Sequence, residues 1–190
     1  MGLIDYLYLA LLAAVGLLRI IELRISKRNQ AHMLAGGAVP VREPQFKLIV
    51  FVHVAMLIGA ALEVVLLKRP FFPVFGTVMF VLFLASNLIR FWVVRTLGTL
   101  WSVQVMDSTR LGVVTSGPFR FVRHPNYAGV ILEIISLPLI HTAWITAILA
   151  VLGYSIALTM RIRSEEAVLM ANSEYRAAMA NKPRFLPGLF

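Results

Sequence analysis

Apolar residues run almost unbroken over Leu3–Ile21, Leu48–Leu67, Phe71–Val94 and Trp144–Met160, with a shorter run at Tyr127–Ile140. A helix needs roughly 20 such residues to cross about 30 Å of hydrocarbon, so the four longer runs predict membrane spans. Lys68-Arg69-Pro70 leaves only a tight turn between the second and the third. The short run covers only about 21 Å at 1.5 Å per residue. It reads as the first arm of a helical hairpin whose second arm is Trp144–Met160, with Pro138 and His141-Thr142 at the bend. No Lys or Arg precedes the first run, which therefore reads as a retained span and not a signal peptide. The last helix meets no Gly or Pro from Tyr154 through Met170 and should carry Arg161, Glu165 and Glu166 into the membrane interface. Asn172–Met179 should extend it, with Pro183 and Pro187 ending regular structure. No strand pattern and no internal repeat is visible. The expectation is an all-α polytopic membrane protein of about five transmembrane segments, the last two a hairpin, with a cytoplasmic loop and a C-terminal helix.

Composition agrees: 59% of residues are hydrophobic and 14% charged, and the mean hydropathy is +0.83, against about 25% charged in soluble domains. We read residues 1–190 as a single integral membrane domain. The net charge of +9 raises nucleic acid as a partner, but its distribution points elsewhere. Arg24, Lys27, Arg28, Arg42 and Lys47 lie between spans one and two; Arg95, Arg110, Arg120 and Arg123 precede the hairpin; Arg161, Arg163, Arg176, Lys182 and Arg184 lie at or beyond the end of the last span. The opposite side carries Lys68 and Arg69. By the positive-inside rule the N-terminus is outside and the C-terminus cytoplasmic. The basic excess is then topology and contact with anionic membrane lipids, with no nucleic acid implied. There is no cysteine, hence no disulfide, thiolate metal site or Cys nucleophile, and the four His show no metal-ligand spacing, so no metal is expected.

Polar chemistry gathers in the second half. His124 precedes Pro125, and a residue before proline leaves the α region while proline suits the first helical position. His124 is thus placed at a helix N-terminus, where free N–H groups attract anions. Gly129 permits close approach of a ligand or backbone. Arg161 and Glu165, four apart, are neighbours on one helix face; a surface ion pair is the plain alternative. Glu133 sits two turns into a short apolar helix, facing either a ligand or a neighbouring helix. In the first half, His53 and Glu63 are ten apart and do not share a face; Glu63 can pair with Lys68. Gly36-Gly37-Ala38-Val39-Pro40 reads as a connector.

Val114-Thr115-Ser116-Gly117-Pro118-Phe119-Arg120-Phe121-Val122-Arg123-His124-Pro125-Asn126-Tyr127-Ala128-Gly129 resembles the signature of the isoprenylcysteine carboxyl methyltransferase family. So do Arg161-Ile162-x-x-Glu165-Glu166-x-x-Leu169, Glu174-Tyr175 and the upstream Leu97-Gly98-x-x-Trp101. Phospholipid N-methyltransferases share the Arg-His-Pro and Glu-Glu elements more loosely. The resemblance implies S-adenosylmethionine as methyl donor, held by Val114, Thr115, Gly117, His124, Tyr127 and Glu166, with Arg161 and Glu165 as the catalytic pair. It divides the chain into a scaffold and lipid-substrate side over 1–89 and a cofactor-binding catalytic half over 90–190. No G-x-G-x-x-G run or βαβ pattern offers the usual dinucleotide-type fold.

On that reading the acceptor is a lipophilic small molecule or lipidated substrate, methylated on a carboxylate or hydroxyl oxygen, with no obligate protein partner. Arg161 would orient a carboxylate through paired N–H donors. Glu165 would fix Arg161 or face the sulfonium, Tyr127 and Trp101 would touch the cationic donor, and His124 would hold its carboxylate. Three alternatives stand beside this. A lipid amine could be the acceptor. An NADPH-dependent sterol-type reductase shares the Arg-His-Pro-Asn-Tyr-x-Gly run, but in that family an acid follows the glycine directly, where Val130 stands here. A non-enzymatic lipid-binding protein could keep the same fold.

Overall fold

The computed structural model describes residues 1–185, so Pro187 lies outside the described residues. Helices α1 (Leu3–Ala35), α2 (Phe46–Leu67), α3 (Pro73–Leu97) and α5 (Trp144–Leu169) are long and apolar enough to cross a membrane. The shorter α4 (Pro125–Leu139) forms a hairpin with α5, and α6 (Ser173–Met179) follows. Large apolar side chains such as Leu66, Val74, Leu88, Phe91, Leu149 and Ile156 remain exposed around the bundle. In water such a belt would be untenable, so it is the surface given to lipid. The protein is an all-α integral membrane protein.

Several chain reversals have local causes. Pro73 and Pro125 open α3 and α4, where a missing N–H costs nothing. Between α2 and α3 the chain turns at Lys68, which ends α2 in the left-handed conformation (φ 49°). Because of that reversal it is Arg69, and not Lys68 as the sequence suggested, that returns to the Glu63 carboxylate at 2.7 Å. Glu63 also accepts from the Ile145 and Thr146 amides at 3.1 and 2.8 Å. A carboxylate there meets the free N–H groups and the positive end of the α5 dipole.

Two expectations fail locally. The final helix does not run on into the C-terminal segment, because Asn172 caps a new helix, its side chain accepting from the Tyr175 amide at 2.9 Å. Asn is a preferred N-cap, and a chain can break at a cap without Gly or Pro. Strand structure is present, though minimal: β1 (Val39–Pro40) pairs antiparallel with β2 (Met106–Asp107), Val39 opposite Asp107. Too short to show an alternating pattern, it ties the α1–α2 connection to the loop after α3.

The short α4 is anchored at its C-terminal end. That end is fastened where α1 begins and α2 meets α3, by His141 to Asp5 (2.8 Å) and by the Thr142 hydroxyl donating to the Pro70 carbonyl (2.6 Å). Fifteen residues then reach about 22 Å into a hydrocarbon layer of about 30 Å. With His124 to Tyr127 at its N-terminal end, α4 thus falls about 8 Å short of a full crossing. Gly129 lets α4 lie close against α3: a Cβ there would come within 2.9 Å of the Arg90 side chain and 3.2 Å of the Ser86 carbonyl.

Buried charges join α1, α3 and α4. Arg19 donates to Glu133 at 3.0 Å and Arg90 to Glu22 at 2.9 Å, while Arg19 also pairs with Glu22. Glu133 is 1% exposed and also lies 3.8 Å from Arg90, so it serves two neighbouring helices. Breaking one side of a buried pair costs about 3–5 kcal/mol, because its partners stay charged and desolvated. Glu133→Ala is expected to lose stability in that range, and Glu133→Gln less, read as unfolding midpoints in mixed micelles. Wild-type midpoints in Glu133→Ala would show that the network does not hold the bundle.

Candidate active site

α1 is 33 residues long, about 50 Å at 1.5 Å per residue, so its last turns project past the hydrocarbon. There Asn29 donates to the Trp101 carbonyl at 2.9 Å, and Ser26 accepts from the Val103 amide at 2.9 Å. Met33, fully buried, packs with Ala38 and Met106. These contacts shape the loop after α3 into one wall of a cavity; the start of α4, the end of α5 and α6 complete it.

At its centre lies Tyr127, buried on α4. Its hydroxyl accepts from Arg161 Nε at 2.7 Å and donates to the Glu165 carboxylate. The Arg161 guanidinium also sits 5.5 Å from the centre of the Tyr127 ring. Arg161 and Glu165 are thus joined through the phenol, and not by the direct ion pair that helical spacing suggested. The other two guanidinium nitrogens are also engaged: Nη2 donates to the Val103 carbonyl, and Nη1 lies 3.4 Å from the Glu43 carboxylate. The open fork expected to clamp a substrate carboxylate is already filled by protein groups.

Glu43 comes from the α1–α2 connection, inside the half that the sequence assigned to scaffold. It accepts from the Val105 amide and is buried, and that burial raises its pKa while Arg161 opposes the rise. Its signal in the sequence was slight: one acid beside Arg42, just before Pro44.

Two cavities meet at this point. The smaller, about 160 Å³, is walled by Trp101, Gln104, Phe119, Arg123, His124, Tyr127, Glu165 and Tyr175 among others. The larger, about 360 Å³, lies between α1 and α2 with mostly apolar walls, among them Ile20, Leu23, Ile49, Val54 and Leu57. Trp101, Ser102, Asn126, Tyr127 and Arg161 line both. Asn126, which the sequence reading did not single out, has a buried side-chain oxygen with no partner. Burial raises the pKa of the Tyr175 phenol, with Glu165 and Glu166 adding to the rise, so it stands in the wall as a neutral donor.

The expected donor-binding residues divide. Val114, His124 and Tyr127 line the smaller cavity; Thr115, Gly117 and Glu166 do not. Gly117 has φ +57°, and a Cβ on it would come within 2.4 Å of the Thr96 hydroxyl, so packing against α3 accounts for it. Thr115 is exposed. Glu166 stands behind the wall, where it gathers His124 Nε2 (3.0 Å), Arg123 (3.0 Å) and Arg184 (2.6 Å). The His124 nitrogen expected to hold an anion is thus facing a carboxylate of the protein itself.

That cluster fastens the C-terminal segment across the start of α4, where the Arg123 and His124 amides donate to the Pro183 and Arg184 carbonyls at 2.9 and 3.0 Å.

The profile of the isoprenylcysteine carboxyl methyltransferase family matches residues 78–171, from α3 through the end of α5. That region belongs to this methyltransferase family. The Arg-His-Pro-Asn-Tyr run lies within the matched region. A Bacillus subtilis protein, YpbQ, is 29% identical over 164 residues, covering 86% of this chain and 96% of its own. A Haemophilus influenzae protein is 28% identical over 158 residues, covering 83% and 91%. Both are described as uncharacterized.

Glu166→Gln should loosen the C-terminal segment without disturbing the bundle. Trypsin is expected to cut after Arg184 several times faster in this variant than in the wild type, with other sites unchanged. Equal rates would show that the backbone contacts alone hold the segment.

Proposed function

We propose that the protein transfers a methyl group from S-adenosylmethionine to an oxygen of a lipophilic acceptor, at the cytoplasmic side of the bacterial inner membrane. The observation that carries this is the shared wall: a polar and aromatic cavity and a mostly apolar one meet at Tyr127 and Arg161. Trp101, Tyr127 and Phe119 suit an adenine ring and a cationic sulfonium. Asn126, Gln104 and Ser108 suit ribose hydroxyls, and Arg123 suits the donor carboxylate. The orphaned Asn126 oxygen is a group that a ligand would satisfy.

The bound donor supplies an electrophilic methyl group; the protein supplies alignment and a dry site. Arg161, held on three sides, fixes the Tyr127 hydroxyl and, through it, the Glu165 carboxylate. An acceptor approaching from the larger cavity would meet its reacting oxygen beside these groups, with its apolar part left between α1 and α2. A carboxylate acceptor needs no base. A hydroxyl must lose a proton, and the Tyr127–Glu165 pair stands where it would be taken up.

Purified protein with labelled S-adenosylmethionine and membrane lipids is expected to yield a labelled lipid, identifiable by mass spectrometry. Arg161→Ala and Glu165→Ala should each lower turnover by roughly 100-fold, the scale of lost alignment. Failure of the wild type to bind S-adenosylmethionine would overturn the proposal. A rate flat from about pH 6 to about pH 9 marks a carboxylate acceptor; a rate rising with pH marks a hydroxyl.

The orientation has its own test, made clean by the absence of native cysteine. A membrane-impermeant maleimide added to intact spheroplasts should label Gly2→Cys, and should label Arg176→Cys only after lysis. The reverse pattern would invert the topology.

A further inference from the structure

Glu43 falls outside the region matched by the family profile, which begins at residue 78, yet it reaches the centre of the site. We infer that Glu43 is a positioning residue that sets the charge of the transfer point, making it favour a cationic sulfonium over the neutral thioether left after methyl transfer. This rests on the donor assignment above.

Arg161 lines both cavities, and its charge faces two carboxylates. Glu165 reaches it through the Tyr127 hydroxyl, and Glu43 lies 3.4 Å from Nη1. With both ionised, the group carries one net negative charge. Arg123, the other arginine in the wall of the smaller cavity, turns to Glu166, which it shares with Arg184. If Glu43 were absent, Arg161 and Glu165 would cancel, and the point where the cavities meet would be neutral. Glu43 is built to stay in place. One oxygen accepts from the Val105 amide, its backbone carbonyl accepts from the Phe46 amide at 3.1 Å, and its side chain is 2% exposed. The other oxygen, turned to Arg161, has no hydrogen bond. It is held there by charge alone.

A charge buried behind the wall acts on ligands of different charge unequally. S-adenosylmethionine and S-adenosylhomocysteine differ by the methyl group and the positive charge on sulfur, so the ratio of their affinities reports the field at that sulfur. A purely structural Glu43 would change both affinities together and leave the ratio alone.

The test is isothermal titration of wild type and Glu43→Gln with each ligand at pH 8. Glutamine keeps an acceptor for the Val105 amide and removes only the charge. The affinity ratio is expected to move toward the thioether by about tenfold in Glu43→Gln, the effect of one charge about 10 Å away at an effective dielectric of about 20. Should Glu43→Gln fail to fold, Glu43→Asp and Glu43→Asn form a second pair, alike in shape and differing in charge, and the same shift is expected between them. An unchanged ratio overturns the inference and leaves the donor assignment standing. A wild type that binds neither ligand overturns both.

Discussion

A buried guanidinium is the constraint from which the arrangement of this protein follows. Arg161 is 6% exposed in the C-terminal half of a membrane helix, where an unmatched charge would be costly. Satisfying it takes one group from each of three separate stretches: the Tyr127 hydroxyl of α4, the Val103 carbonyl of the loop after α3, and the Glu43 carboxylate of the α1–α2 connection. Meeting that requirement draws together the parts that wall the two cavities. The same contacts that neutralise the charge therefore position the site.

The depth of the site follows from the length of α4. A helix of 15 residues, anchored at the end where α1 begins, is too short to cross the hydrocarbon layer fully. The chain before its N-terminal end must stay irregular, and irregular backbone at membrane depth is tolerated only where protein buries it or it lines a cavity. The projecting turns of α1, α6 and the C-terminal segment provide that cover. A polar cavity can then lie beside an apolar one without either being open to bulk water on all sides.

Two charge clusters have different duties. Arg19, Glu22, Arg90 and Glu133 join three helices within the bundle, though Arg19, Glu22 and Arg90 also line the larger cavity. Glu166, with Arg123, His124 and Arg184, closes the C-terminal segment over the start of α4. Glu165 and Glu166 are adjacent in sequence yet face opposite tasks, since neighbouring positions on a helix point about 100° apart. One turns to Tyr127 at the cavities' meeting point, the other away toward the C-terminal segment.

By itself the sequence determined the membrane class, the spans and the hairpin, because hydrocarbon selects for length and apolarity, and both can be read one residue at a time. It also marked the run around Arg123-His124-Pro125 and the Arg161–Glu166 segment, where polar residues interrupt lipid-compatible chain. What it left undetermined are pairings. Helical spacing suggested that Arg161 meets Glu165 directly, but the phenol of Tyr127, 34 residues earlier, stands between them. Nearness in sequence favoured Lys68 for Glu63, and backbone reversal gave Arg69. Nothing in the pattern around Arg42 and Pro44 shows that Glu43 will reach Arg161, 118 positions away. Local composition fixes which residues need partners; which partners they find depends on how the helices cross, and only the tertiary structure decides that.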